Sequence, residues 1–401
     1  MKLLLVLFFV SHSAFAIDAG DGSDGVCNIT GGADTQITSA RKTYQCTTLN
    51  LDGNLNAFDG AHAGAGGAPL VIKVQGDVHY TPGVIIDLSG DVGLEGALMP
   101  GGGAKAGGLA GAGGSAGGNS FGTGVNGTTA GNTGSAFGAR GGIGGSFVTP
   151  NTNSSYGGGG GGGSFKNQGA VATDGDDVGG AGSIPGSGGA NGAALGDETT
   201  LDTSFTGGAG GGAGGDGENN GTLKSGSSGG GGGGAIRIVA GGNITIDGTI
   251  KVNGGKGGGL LTTDYSGAGG GGSGGVIFLQ AGGTLTITPG STLEAIAGDG
   301  GDNDIGPGGF GGDGMIRLDD GDGLVSVAGS TVTPVKYTAP FTPSPLVTNT
   351  TSLTRQYTSG VSCGSVALDD HEKPYNNVIN LMLGVAIAAL FHLVVSKKSK
   401  V

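Results

Sequence analysis

"GGGGAIRIVAGGNITIDGTIKVNGGKGGG", residues 231–259, sets Ile236 and Ile238, Ile244 and Ile246, and Ile250 and Val252 two residues apart between glycine turns. A spacing of two puts each pair on one face of a strand. The glycines between the pairs turn the chain at regular intervals. The phrase recurs as "VIKVQGDVHYTPGVIIDLSGDVG" at 71–93, "VIFLQAGGTLTITPGSTLEAIAGDG" at 276–300 and "MIRLDDGDGLVSVAGSTVTPVKY" at 315–337. Ile236, Ile277 and Ile316 mark equivalent points of the last three copies, and "TLNLDGNL" at 48–55 is a weaker relative.

Three short strands per copy are too short to stand alone, so neighbouring copies must share an interior. The reading is all-β: a repeat β-solenoid, parallel β-helix-like, over residues 70–334, with a glycine-rich insertion at about 93–234. The same hairpins could also build an antiparallel β-sandwich. Lys73, Arg237 and Arg317 each follow the first aliphatic residue of a copy and read as an outward position on its first strand.

Composition agrees with a chain that packs something. It has 101 Gly in 401 residues, no Trp and 12% charged residues, yet 35% of it is hydrophobic and those residues cluster. Strict Gly-X-Y periodicity is missing, which excludes collagen. The insertion holds seven consecutive glycines at 157–163, and six more stand at 229–234. Glycine loses more backbone entropy on ordering than any other residue. Such tracts read either as a long flexible linker or as polyglycine II, extended three-fold helices packed side by side. In the second case Leu109, Phe121, Phe137, Ile143 and Phe147 would seal the bundle edges. In pattern, residues 90–315 resemble glycine-rich tips of phage tail adhesins and glycine-rich bacterial surface proteins. That resemblance implies an adhesive role.

The two ends give an address. Residues 1–16, "MKLLLVLFFVSHSAFA", carry Lys2, an apolar run and Ala14-Phe15-Ala16, the form of a secretory signal. Residues 17–69 follow as an N-terminal segment in which Cys27 and Cys46 read as a disulfide. Residues 335–377 are a Thr/Pro-rich stalk and sorting region. Residues 378–395, "VINLMLGVAIAALFHLVV", are apolar over about 27 Å of helix, long enough to span a bilayer. Lys397, Lys398 and Lys400 in the tail 396–401 orient that transmembrane helix with its C-terminus in the cytoplasm. Cys363 is left as a free or intermolecular thiol. With Gly364, the polar spacer, the apolar helix and the basic end, it resembles the Cys-containing C-terminal sorting signals of Gram-negative bacteria. That resemblance implies cleavage or lipid attachment at Cys363 and a bacterial envelope location.

Chemistry is sparse. A net charge of −13 argues against nucleic acid as a partner. Parallel β-helices can host polysaccharide lyases and hydrolases through paired carboxylates. The available carboxylates, Asp77, Asp87, Asp247 and Glu294, do not fall at one repeat position. "GGFGGDGMI" at 308–316 satisfies a calcium β-roll nonapeptide with Asp313 as ligand. Asp299, Asp302 and Asp304 precede it, and calcium needs six to eight oxygens. Calcium is therefore the one cofactor the sequence suggests. Thr284, Thr286 and Thr288 form a row that raises ice binding. The expectation is a non-enzymatic, membrane-anchored surface protein. It would be structural or adhesive, facing glycans, envelope components or other cells. The alternative is a β-helix carbohydrate-active enzyme.

Overall fold

The structure is a computed structural model. It describes residues 18–29, 35–36, 43–56, 68–96, 104–120, 154–175, 184–194, 198–202, 205–219, 222–259, 265–304, 306–321 and 323–340. These lie in the first of two compact units, Met1–Val347; the second, Thr348–Val401, is outside the described residues. So are the signal 1–16, Cys363, the apolar segment 378–395, the tail 396–401, and Phe121, Phe137, Ile143 and Phe147. Among the described residues no helix is long and apolar enough to cross a membrane.

The described chain is strand-rich, its one helical element being the 3-10 turn Glu198–Thr200. Three large sheets are parallel throughout, which removes the antiparallel sandwich. The chain visits them in rotation. One pass lays Leu70–Val74 in the first sheet, Val78–Tyr80 in the second and Val84–Asp87 in the third. The next lays down Ala235–Ala240, Ile244–Ile246 and Gly248–Lys251. Val276–Ala281, Leu285–Ile287 and Thr292–Glu294 follow. The last complete pass has Met315–Asp320, a bridge at Ser326 and Thr331–Thr333. Ile236, Ile277 and Ile316 are in register, as their spacing predicts.

Sequence and structure part at the margins. The weak relative at 48–55 is a genuine pass, Thr43–Cys46, Thr48–Leu51 and Leu55–Asn56, and Val26–Ile29 with Thr35–Gln36 begin another. The sheets therefore start well before residue 70. At the other end Tyr337–Pro340 pairs with Met315–Asp320, so the expected stalk begins with a strand. In the first copy the strand starts at Leu70, and Lys73 pairs with Val239, not Arg237. Aligning Ile72 with Ile236 misses this two-residue offset.

Inward residues of the three sheets form one apolar cluster, from Leu49 and Leu51 to Ile316 and Leu318. Full burial of such aliphatic side chains stabilises by roughly 1.5–3 kcal/mol each. Cys27 and Cys46 form the expected disulfide, with Cα atoms 5.5 Å apart, at the N-terminal end of this core. Reducing it should cost about 3 kcal/mol in the chain-entropy account, read as a lower denaturation midpoint with dithiothreitol than without. One inward column runs Cys46, Val74, Ala240, Ala281, with Asp320 next in line. Asp320 is 1% exposed and its Oδ1 has no hydrogen-bond partner. An unsatisfied buried polar atom costs roughly 1–3 kcal/mol. Asp320→Ala, the residue of the two preceding passes, should therefore raise unfolding free energy by about 1–2 kcal/mol in chemical denaturation; a lower value would show that the carboxylate is needed there.

The glycine tracts are ordered by hydrogen bonds that rotate with a period of three. Gly229 and Gly232 donate to Gly118 and Ser115, Gly230 and Gly233 to Gly270 and Ser273, and Gly231 and Gly234 to Asp91 and Leu88. Their carbonyls accept in the same rotation. Gly108 and Gly111 donate to Gly229 and Gly232, Gly211 and Gly208 to Gly230 and Gly233, and Gly255 and Val276 to Gly231 and Gly234. The tract thus contacts a different neighbour with each successive amide and carbonyl. Gly157, Gly160 and Gly163 repeat the pattern toward Tyr265, Ala268 and Gly271. Approach is so close that a Cβ on Gly231 would lie 1.9 Å from the Leu109 carbonyl oxygen. The tracts occupy the corner where the chain leaves the third sheet and re-enters the first.

Candidate functional site

The first sheet is covered. Phe165, Leu201 and Ala209 of the insertion pack on Ala235, Val276, Phe278 and Met315, which project outward from it. Across four adjacent strands Arg237, Phe278, Arg317 and Tyr337 stand in register. The two guanidinium groups flank the Phe278 ring at 4.8 and 4.6 Å, and Arg317 also approaches the Tyr337 ring at 5.7 Å. A cation over an aromatic face is held by the ring quadrupole. Asp202 closes the cluster from the insertion, 2.9 Å from Arg317 and 3.5 Å from Arg237. Arg317 donates to Asp319 at 2.8 Å and to the Glu198 carbonyl at 3.2 Å. Lys166 pairs with Glu198, and Gln280 accepts from Arg237 at 2.6 Å.

Burial pushes the Asp319 carboxyl above its ordinary value, opposed by the Arg317 hydrogen bond and charge. Desolvation lowers Arg237. Burial also works against the charge on Arg317, but Asp319 and Asp202 prevail and raise it. Every charge here meets an opposite one, so the cluster fastens the insertion to the sheet.

The second and third sheets carry columns of outward polar side chains. On the second, His79, Thr245 and Thr286 are in register, and Thr286 bridges to Ser326. On the third, Ile85, Thr249, Thr292 and Thr331 form one column, and Asp87, Lys251, Glu294 and Thr333 another. Ile85 is 39% exposed, the Thr331 and Thr333 ends are exposed, and the middle positions are half-buried. Lys251 lies 3.5 Å from Glu294, whose Oε2 also accepts from Asn253 at 3.0 Å. Asp87 accepts from the Ser89 amide at 3.0 Å.

The sequence-selected carboxylates divide in two. Asp77 and Asp247 serve the corners: Asp77 accepts from the Asn243 amide at 2.7 Å and Asp247 from the Thr288 hydroxyl at 2.8 Å. Asp87 and Glu294, expected to miss one another, share a repeat position with Lys251 between them. Their separation of two strands is roughly 9–10 Å at the usual spacing. The Thr row is likewise engaged, Thr284 donating to Asn243 at 3.1 Å and Thr288 to Asp247.

The proposed calcium residues are scattered in role. Asp302 pairs with Lys256. Asp313 accepts from Ala297 and Asn167, both at 3.4 Å. Asp299 and Asp304 are exposed. Among the described residues no three His, Cys, Asp or Glu side chains gather to hold a metal ion. The glycines of 308–314 instead join the hydrogen-bonded tracts, Gly309 and Gly312 donating to Gly160 and Gly163. No family, curated protein or solved structure matches this chain.

Proposed function

We propose that this chain is an exported surface protein, anchored through residues 378–395 with its C-terminus in the cytoplasm, and that its role is structural or adhesive. On this reading the three parallel sheets are the faces of a β-solenoid, and the glycine tracts are a polyglycine II bundle fused along one corner. The observation that carries it is the period-three bonding of Gly229–Gly234, which ties strands, insertion and tracts into one stiff body. A stiff body with two polar faces suits display to glycans, envelope components or other cells. The resemblance of Cys363 and its surroundings to bacterial sorting signals favours a Gram-negative envelope, with cleavage or lipid attachment at that cysteine.

The test has two parts. Full-length protein produced in a Gram-negative host should be cleaved by protease added to intact cells, and the purified protein should bind intact cells saturably. Protection from the protease together with no cell binding would sink the reading. Repeating the binding with a calcium chelator tests Asp299, Asp302, Asp304 and Asp313. A second reading, a carbohydrate-active enzyme, is favoured by one observation: Asp87 and Glu294 flank Lys251 in a single column. Inverting glycosidases hold their carboxyl groups about 6.5–9.5 Å apart. Release of shortened polysaccharide would establish that reading instead.

A further inference from the structure

We propose that the outer face of the third sheet binds an extended linear glycan that is neutral or carries amino groups. The inference rests on the adhesive reading and names its ligand class and site. Four features of the face point there.

First, no described segment seals the face. The first sheet is sealed by Phe165, Leu201 and the Arg237–Asp202 contacts, whereas Ile85, Thr331 and Thr333 of the third sheet stand exposed. Second, it repeats. Ile85, Thr249, Thr292 and Thr331 recur once per strand. Successive strands lie about 4.8 Å apart, close to the length of one sugar ring in an extended chain. A glycan lying across the strands would therefore meet an equivalent side chain with each ring. A peptide strand would instead pair along an edge, not across a face.

Third, the chemistry alternates. Ile85 and the threonine methyl groups offer apolar contact to the C–H face of a sugar ring. Threonine hydroxyls, Lys251, Asp87 and Glu294 in the two adjacent columns offer donors and acceptors to ring hydroxyls. Fourth, charge selects among glycans. Glu294 is already met by Lys251 and Asn253. Asp87, two strands away, accepts the Ser89 amide and, among the described side chains, meets no cation, so it offers a carboxylate to an amino group. The chain's net charge of −13 repels polyuronates.

The experiment is calorimetric titration of the full chain in mild detergent with three hexasaccharides: cellohexaose, its glucosamine counterpart and oligogalacturonate. The expected result is saturable binding of the first two and none of the third. Thr292→Arg, which places a long charged side chain mid-column, should weaken binding at least tenfold. Thr286→Arg on the second sheet should leave it unchanged. Should Thr292→Arg fail to fold by circular dichroism, Ile85→Arg, at the exposed end of the same column, makes the same test. Binding of oligogalacturonate as tight as that of the other two overturns the inference, and so does full affinity in the third-sheet variants. Failure of the first two hexasaccharides to bind overturns it as well. If intact cells still bind in that case, the adhesive reading survives without this site.

Discussion

Replacing Gly231 by alanine is expected to cost at least about 3 kcal/mol of stability, enough to prevent accumulation of folded protein. The added Cβ would stand 1.9 Å from the Leu109 carbonyl oxygen and close to the Leu109 carbonyl carbon and Gly108 oxygen. These are backbone atoms held by their own bonds, so no side-chain rotation relieves the clash. Gly229 and Gly160 meet the same obstacle, from the Gly211 oxygen at 1.9 Å and the Gly212 oxygen at 2.2 Å. Gly259 supplies the control. Its nearest neighbour would be the Asp302 oxygen at 3.4 Å, an ordinary contact, and Gly259→Ala should stay within about 0.5 kcal/mol of the parent. Thermal and urea unfolding of the two variants side by side separates a packing requirement from a mere abundance of glycine. Equal tolerance at both positions would contradict the close approach.

Arg317→Ala is expected to cost about 3–5 kcal/mol at neutral pH, because it strands the buried Asp319 carboxylate and opens one face of Phe278. The loss carries a pH signature. Asp319 already has a folded-state pKa above its unfolded value, through burial. A raised acid contributes stability that is fully present below the unfolded pKa and is lost as pH rises through the folded one. Without Arg317 the folded pKa climbs further, so that window widens upward. The deficit of Arg317→Ala relative to the parent should shrink as pH falls from 7 toward 4. Urea midpoints at several pH values measure it. A pH-independent deficit would mean that the lost packing on Phe278, not the stranded charge, dominates. In that case Asp319→Asn in the Arg317→Ala background would recover nothing.

Legibility from sequence followed the range of the interactions. Aliphatic pairs such as Ile244 and Ile246 declare a strand face locally, and spacing alone aligned Ile236, Ile277 and Ile316. The first copy misleads because its phrase, taken from Val71, aligns Ile72 with Ile236 and Lys73 with Arg237, two positions away from the observed register. The Asp87–Lys251–Glu294 column was hidden for a related reason. It depends on register across the long excursion between Asp87 and Gly248, which no local pattern reports. Arg237 and Arg317 were visible as outward positions, but their partner Asp202 lies 115 residues from Arg317 along the chain. Phe278, in register between the two arginines, was the available signal for the cluster. The glycine tracts left two readings open because glycine itself encodes neither. The order comes from neighbours supplied by several separate stretches of chain.

Hydrogen–deuterium exchange at the amides of Gly157–Gly163 and Gly229–Gly234 tests the stiff-body account most directly. The account predicts protection comparable to that of Ile236 and Ile238 in the adjoining strand for every amide of Gly229–Gly234 and for those of Gly157, Gly159, Gly160, Gly162 and Gly163, since each of these bonds a carbonyl of another segment. Exchange of the tracts at unprotected rates, while the strands stay protected, would contradict it and leave a tethered linker between passes of an otherwise intact sheet stack.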